Sequence, residues 1–85
     1  MLAQDAMWMG SGMPEIKVMT EVAGRVCALP AEIGGRVDTG DDIVVVEAMK
    51  MEIPVPSPAT GTLTTLLVKL DDLVAEGQVV AIVAG

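Results

Sequence analysis

The sequence has no histidine, no phenylalanine and no tyrosine. Without histidine it lacks the commonest general base and the commonest metal ligand. Its one cysteine, Cys27, allows neither an internal disulfide nor a multi-cysteine zinc site. With no histidine to activate it, Cys27 reads as a small strand side chain, and a free thiol fits a reducing, cytoplasmic setting. Trp8 is the only aromatic residue, so a core has to be built from Val, Ile, Leu, Ala and Met. Basic residues are few and scattered: Lys17, Arg25, Arg36, Lys50 and Lys69 stand against twelve acidic ones, for a net charge of −7. Phosphate contacts need clustered Lys and Arg, so no nucleic acid is expected as a partner. No apolar run approaches the length of a membrane span, so no membrane is expected either. There is no phosphate-cradling glycine loop and no plausible acid–base pair, so the chain is not expected to be a catalyst by itself.

What is present is β-branched and turn-forming. Eighty-five residues suffice for one small domain, and nine glycines with five prolines favour an all-β module. Residues 1–13 differ from the rest. They hold four of the seven methionines, Trp8, and a Gly10-Ser11-Gly12 linker. No basic n-region precedes an uninterrupted apolar stretch, so they are not a secretory signal. They read as a flexible N-terminal tail or an added leader, with a docking segment built on Trp8 as the sharper alternative. The domain proper spans residues 14–85 and opens on Glu15-Ile16-Lys17-Val18-Met19, which alternates as a half-buried strand does.

An internal repeat follows. Gly24–Ala48 aligns without a gap onto Gly61–Gly85, at an offset of 61 − 24 = 37. Gly24 pairs with Gly61, Leu29 with Leu66, Val37 with Val74, Gly40 with Gly77 and Val46 with Val83. Each half reads as a strand, a two-residue strand and a long strand: 25–29, 36–37 and 43–47, then 62–69, 73–74 and 79–83. The pattern predicts two half-buried layers, related by a pseudo-two-fold, packed face to face. It also predicts the turn after residue 47 and the chain's last residues at opposite ends of the molecule. Pro54, Pro56 and Pro58 recur at every second position, which removes donors from one side of a strand and blocks its pairing with another chain.

The first long strand runs into Glu47-Ala48-Met49-Lys50-Met51-Glu52, and Ile53-Pro54-Val55-Pro56 leads back out. This predicts a hairpin with Met49 and Lys50 at its tip. Tight hairpin turns favour Asn-Gly or Asp-Gly, because they need positive φ. Two bulky side chains there imply backbone strain, of the kind that gathers at functional sites. A lysine held at such a tip is a presented amine. The bland alternative is a solvated lysine beside gap-filling methionines.

Ala48-Met49-Lys50-Met51 resembles the attachment motif of the biotinyl domains, the carrier modules of biotin-dependent carboxylases. Ser57-Pro58-Ala59-Thr60-Gly61, Val37-x-x-Gly40 and Val74-x-x-Gly77 are similar to that family's turns, and the resemblance covers about residues 15–83. It implies a flattened eight-stranded β-barrel or sandwich, with biotin carried covalently on Lys50. Met49 and Met51 would flank the lysine for recognition, with Ala48 and Glu47 completing the motif. The partners implied are a biotin protein ligase, a biotin carboxylase that loads the carrier using ATP and bicarbonate, and a carboxyltransferase that passes the carboxyl group to an acceptor such as an acyl-CoA. Two rivals stand beside this reading. A lipoyl-type carrier also presents a hairpin lysine, but Met49 occupies the position where that family usually has an acidic residue. An unmodified barrel used as an interaction scaffold is the other. The chain departs from the family pattern at Asp71, where a turn glycine is usual, and at Thr20-Glu21-Val22-Ala23, which lacks a proline before Gly24. The gapless repeat leaves no room for the thumb loop of some members, and no Ala/Pro-rich linker precedes residue 14.

Overall fold

The computed structural model describes residues 14–85; the expected tail at 1–13, Trp8 included, lies outside them. Eight strands form in chain order: β1 (Glu15–Met19), β2 (Gly24–Ala28), β3 (Arg36–Val37), β4 (Asp42–Ala48), β5 (Met51–Pro56), β6 (Gly61–Leu66), β7 (Leu73–Val74) and β8 (Val79–Ala84). They build two antiparallel four-stranded sheets, ordered β1-β8-β6-β3 and β5-β4-β2-β7. The expected all-β sandwich is therefore present.

One expected strand is too long. β6 ends at Leu66, not at Lys69. Asp72 closes a turn instead, its carboxylate accepting from the Lys69 N–H at 2.9 Å while its own N–H donates to the Lys69 carbonyl at 3.1 Å. A second correction concerns the core. Val18, Val26, Val37, Ile43, Val44, Val46, Val55, Leu63, Val68, Val74, Val80, Ala81 and Val83 fill it. None of the three described methionines joins them, since Met19, Met49 and Met51 all face solvent. Alternation along β1 sends Val18 inward and so turns Met19 out.

The 37-residue repeat reappears as paired hydrogen bonds. The Asp71 N–H donates to the Val26 carbonyl, and the Val26 N–H to the Asp72 carbonyl. In the other half the Gly34 N–H donates to the Leu63 carbonyl, and the Leu63 N–H to the Gly35 carbonyl. The symmetry extends further upstream than Gly24. Thr20 and Ser57, also 37 apart, are both buried. Thr20 donates to the Gln78 carbonyl and accepts from the Gly77 N–H, as Ser57 does with Asp41 and Gly40. Their hydroxyls donate to the carbonyls two residues on, Val22 at 2.8 Å and Ala59 at 2.6 Å. Burying a hydroxyl is tolerable here because each one is bonded.

β1 and β5 each lie at one edge of a sheet, and the two-residue strands β3 and β7 lie at the other edges. Pro54 and Pro56 are exposed on β5, and Ser57 beyond it donates to Asp41, so the pairing side faces β4 as expected. Pro58 falls after the strand. Cys27 is an ordinary half-buried residue of β2.

Two glycines set how closely the strands approach. A Cβ on Gly24 would overlap the Glu47 carbonyl oxygen, and a Cβ on Gly61 would overlap that of Ala84. Both obstacles are backbone, which cannot swing aside. Gly24→Ala and Gly61→Ala are each expected to lower stability by about 2 kcal/mol or more, comparable to overpacking a core. The denaturant midpoint of each variant checks this.

Candidate functional site

β4 and β5 pair in register from Val44↔Val55 to Ala48↔Met51, leaving Met49 and Lys50 as a two-residue turn. Both have positive φ, 53° and 66°. That is the backbone of a type I′ turn, whose twist matches that of the flanking strands. The hairpin therefore imposes a left-handed conformation on two residues that ordinarily avoid it, at roughly 1 kcal/mol or more each. The sequence expectation of a strained tip is met. Lys50 is exposed, and among the described residues it makes no side-chain hydrogen bond or ion pair.

Met49 is 94% exposed and Met51 63%. Neither supports the core, so both residues next to Lys50 in the chain leave apolar surface exposed. Ala48 closes β4, half-buried and directly opposite Met51.

Glu47 is placed differently from the other motif residues. It lies between Arg25 on β2 and Glu52 on β5 in the sheet register. Like charges directly opposite each other repel. Arg25 offsets this, donating from Nη2 to Glu47 Oε1 at 2.7 Å and from Nη1 to Asp71 Oδ1 at 2.5 Å. The hydrogen bond to Glu47 first, and that to Asp71 second, push the Arg25 pKa above its ordinary value. Asp71 sits at φ 73°, where its repeat-mate Gly34 has φ 90°. The sequence marked Asp71 as a departure at a glycine position but gave no sign of its partner. Arg25 counted there only as one of five scattered bases. Its pairing with Glu47 follows from the β2–β4 register, which the repeat alone does not fix.

The tip is also far from both chain boundaries of the domain. The Gly85 N–H donates to the Pro14 carbonyl at 3.1 Å, and Ala84 packs on Gly61. Gly61 follows the far end of β5, a strand of six residues and so roughly 20 Å long. Lys50 and the chain's last residue accordingly occupy opposite ends.

Residues 12–83 match the family described as biotin-requiring enzyme. The chain belongs to that family. It is 30% identical over 67 residues to the biotinylated protein TB7.3 homolog of Mycobacterium leprae, covering 79% of this chain and 94% of that protein. It is 37% identical over 68 residues to the mitochondrial methylcrotonoyl-CoA carboxylase subunit alpha of Arabidopsis thaliana, covering 80% of this chain but only 9% of the relative. The urea carboxylase of Kluyveromyces lactis superposes with a TM-score of 0.79 at 31% identity, over 82% of this chain and 6% of that one. The chain thus spans one small region of these carboxylases, and that region is a biotin carboxyl carrier domain.

Because the methionines lie outside the core, Met49→Ala and Met51→Ala are expected to shift stability by less than about 1 kcal/mol. Met49→Asn is expected to raise it by about 0.5 kcal/mol, since asparagine tolerates the left-handed conformation. Urea denaturation of the three variants tests both statements; a loss near that of a buried methionine, about 2–5 kcal/mol, would contradict them.

Proposed function

We propose that the chain carries biotin on Lys50 and moves carboxyl groups between the active sites of a biotin-dependent carboxylase, taking no catalytic part itself. The observation that carries this reading is the turn: an exposed amine, unpaired among the described residues, on a strained two-residue tip between two exposed methionines. An attachment site needs an amine that reaches solvent on a support that does not move. Lys50 meets the first condition, and the β4–β5 ladder beneath it meets the second.

Biotin, when bound, supplies the atom on which a carboxyl group travels. The residues of this chain present, orient and tether. Tethering converts a bimolecular encounter into a local search, and this raises the effective concentration of the carried group at each partner site. A biotin protein ligase is the partner that installs the cofactor. We assign to it both activation of biotin and deprotonation of the amine, because the chain offers no histidine for either. A biotin carboxylase and a carboxyltransferase are the later partners, with an acyl-CoA among the acceptors. The cytosol is the compartment that fits a carrier with one free thiol.

Incubating the full chain with ligase, ATP and biotin tests the assignment by intact mass. Lys50→Arg and Lys50→Ala are expected to abolish incorporation. Lys17→Arg and Lys69→Arg are expected to retain it, since Lys17 lies within β1 and Lys69 in the 67–72 connection. Biotin on the Lys50→Arg protein would refute the assignment. Efficient lipoylation of Lys50 with no biotinylation would favour the lipoyl carrier instead. Met49→Ala and Met51→Ala are expected to slow biotinylation, or carboxyl transfer by the partners, at nearly unchanged stability.

A further inference from the structure

The Arg25 bridge has no counterpart in the other half of the molecule. At the 37-residue offset, positions 25, 47 and 71 map onto Thr62, Ala84 and Gly34. The backbone is the same in both halves. Thr62 pairs with Ala84 as Arg25 pairs with Glu47, and the N–H groups of Gly34 and Asp71 donate to equivalent carbonyls. The fold is therefore built once without the bridge and once with it.

Stability does not account for the difference. Asp71 holds a left-handed backbone conformation that suits glycine better. Both ion pairs of the Arg25 bridge are substantially exposed, and such pairs contribute little. The bridge does have a mechanical effect. It ties the end of β4, three residues before Lys50, to the connection preceding β7. It also holds the Glu47 carboxylate, which would otherwise face only Glu52 across the hairpin. Arg25 alone can do this, because its fork presents two donor nitrogens to two separate carboxylates.

We propose that Arg25 and Asp71 are positioning residues that hold Glu47, and through it the base of the Met49–Lys50 turn, in one geometry for the enzyme that acylates Lys50. The proposal rests on the reading of Lys50 as the attachment site. Loosening the bridge lowers the fraction of chains with a competent tip. A smaller competent fraction raises the apparent dissociation constant in proportion, while saturating carrier still supplies the competent form.

The test is steady-state biotinylation of the full chain by a purified biotin protein ligase, with the carrier concentration varied. Asp71→Asn keeps a residue that tolerates positive φ and removes the charge; Asp71→Gly removes both charge and strain. Arg25→Thr installs the residue of the other half. Each is expected to raise KM about three- to tenfold with little change in kcat. Arg25→Lys, able to meet one carboxylate at a time, should fall between Arg25→Thr and the parent chain. Arg25→Thr combined with Asp71→Asn should be no worse than Arg25→Thr alone, since the two residues act through one contact. Asp71→Gly is the decisive variant, because its denaturant midpoint should hold or rise while its KM worsens. A KM that follows the midpoint across the set would overturn the proposal. So would parental KM in Asp71→Asn and Arg25→Thr, or effects of the two that add. Biotin on the Lys50→Arg protein overturns the underlying reading; an inert Lys50→Arg protein alongside parental KM in the bridge variants overturns the bridge alone.

Discussion

Gly24 and Gly61 allow backbone to rest against backbone at two symmetry-related points, and the rest of the sandwich is arranged around those approaches. Each glycine stands where a Cβ would overlap a carbonyl oxygen of the neighbouring long strand, at Glu47 and at Ala84. With the strands that close, short β-branched side chains fill the interior, and among the described residues Val, Ile, Leu and Ala make up the core. Small side chains bury modest area each, so close packing has to supply what size does not.

The same approach defines the site. Glu47 is fixed from below by Gly24 and from the side by Arg25, and Lys50 follows three residues later. Antiparallel pairing of β4 with β5 leaves a loop of two residues, and both of them take positive φ. Asn-Gly would satisfy the turn at lower cost. Met49-Lys50 satisfies it with an amine and a thioether, so local conformational stability gives way to presentation. Strain at a tip is tolerable because the register below it is complete.

The two halves of the repeat also show what symmetry does not dictate. Thr20 and Ser57 solve one problem in the same way, each burying a bonded hydroxyl. Asp71 and Gly34 solve one problem in different ways, and only the Asp71 solution reaches toward the lysine. The edge strands differ too. β5 excludes pairing through Pro54 and Pro56, whereas β1 carries Lys17 and Met19 at the equivalent exposed positions.

By itself the sequence determined the class of fold, the eight strands, the 37-residue symmetry and the lysine at the hairpin tip. Those features rest on period-2 alternation, on glycines in register and on a loop of known length, all of which are local in the chain. The limit of β6 escaped it because the Asp72 carboxylate caps the Lys69 N–H, a side-chain choice that competes with strand pairing. The place of Met19 outside the core escaped it as well, because composition counts apolar residues without saying which way they face. Only the tertiary structure joined Arg25, Glu47 and Asp71. They are separated by 22 and 46 residues from Arg25, and their meeting depends on the pairing of β2 with both β4 and β7. Register between distant strands is set by the packing of the whole core, and no short stretch of sequence contains it.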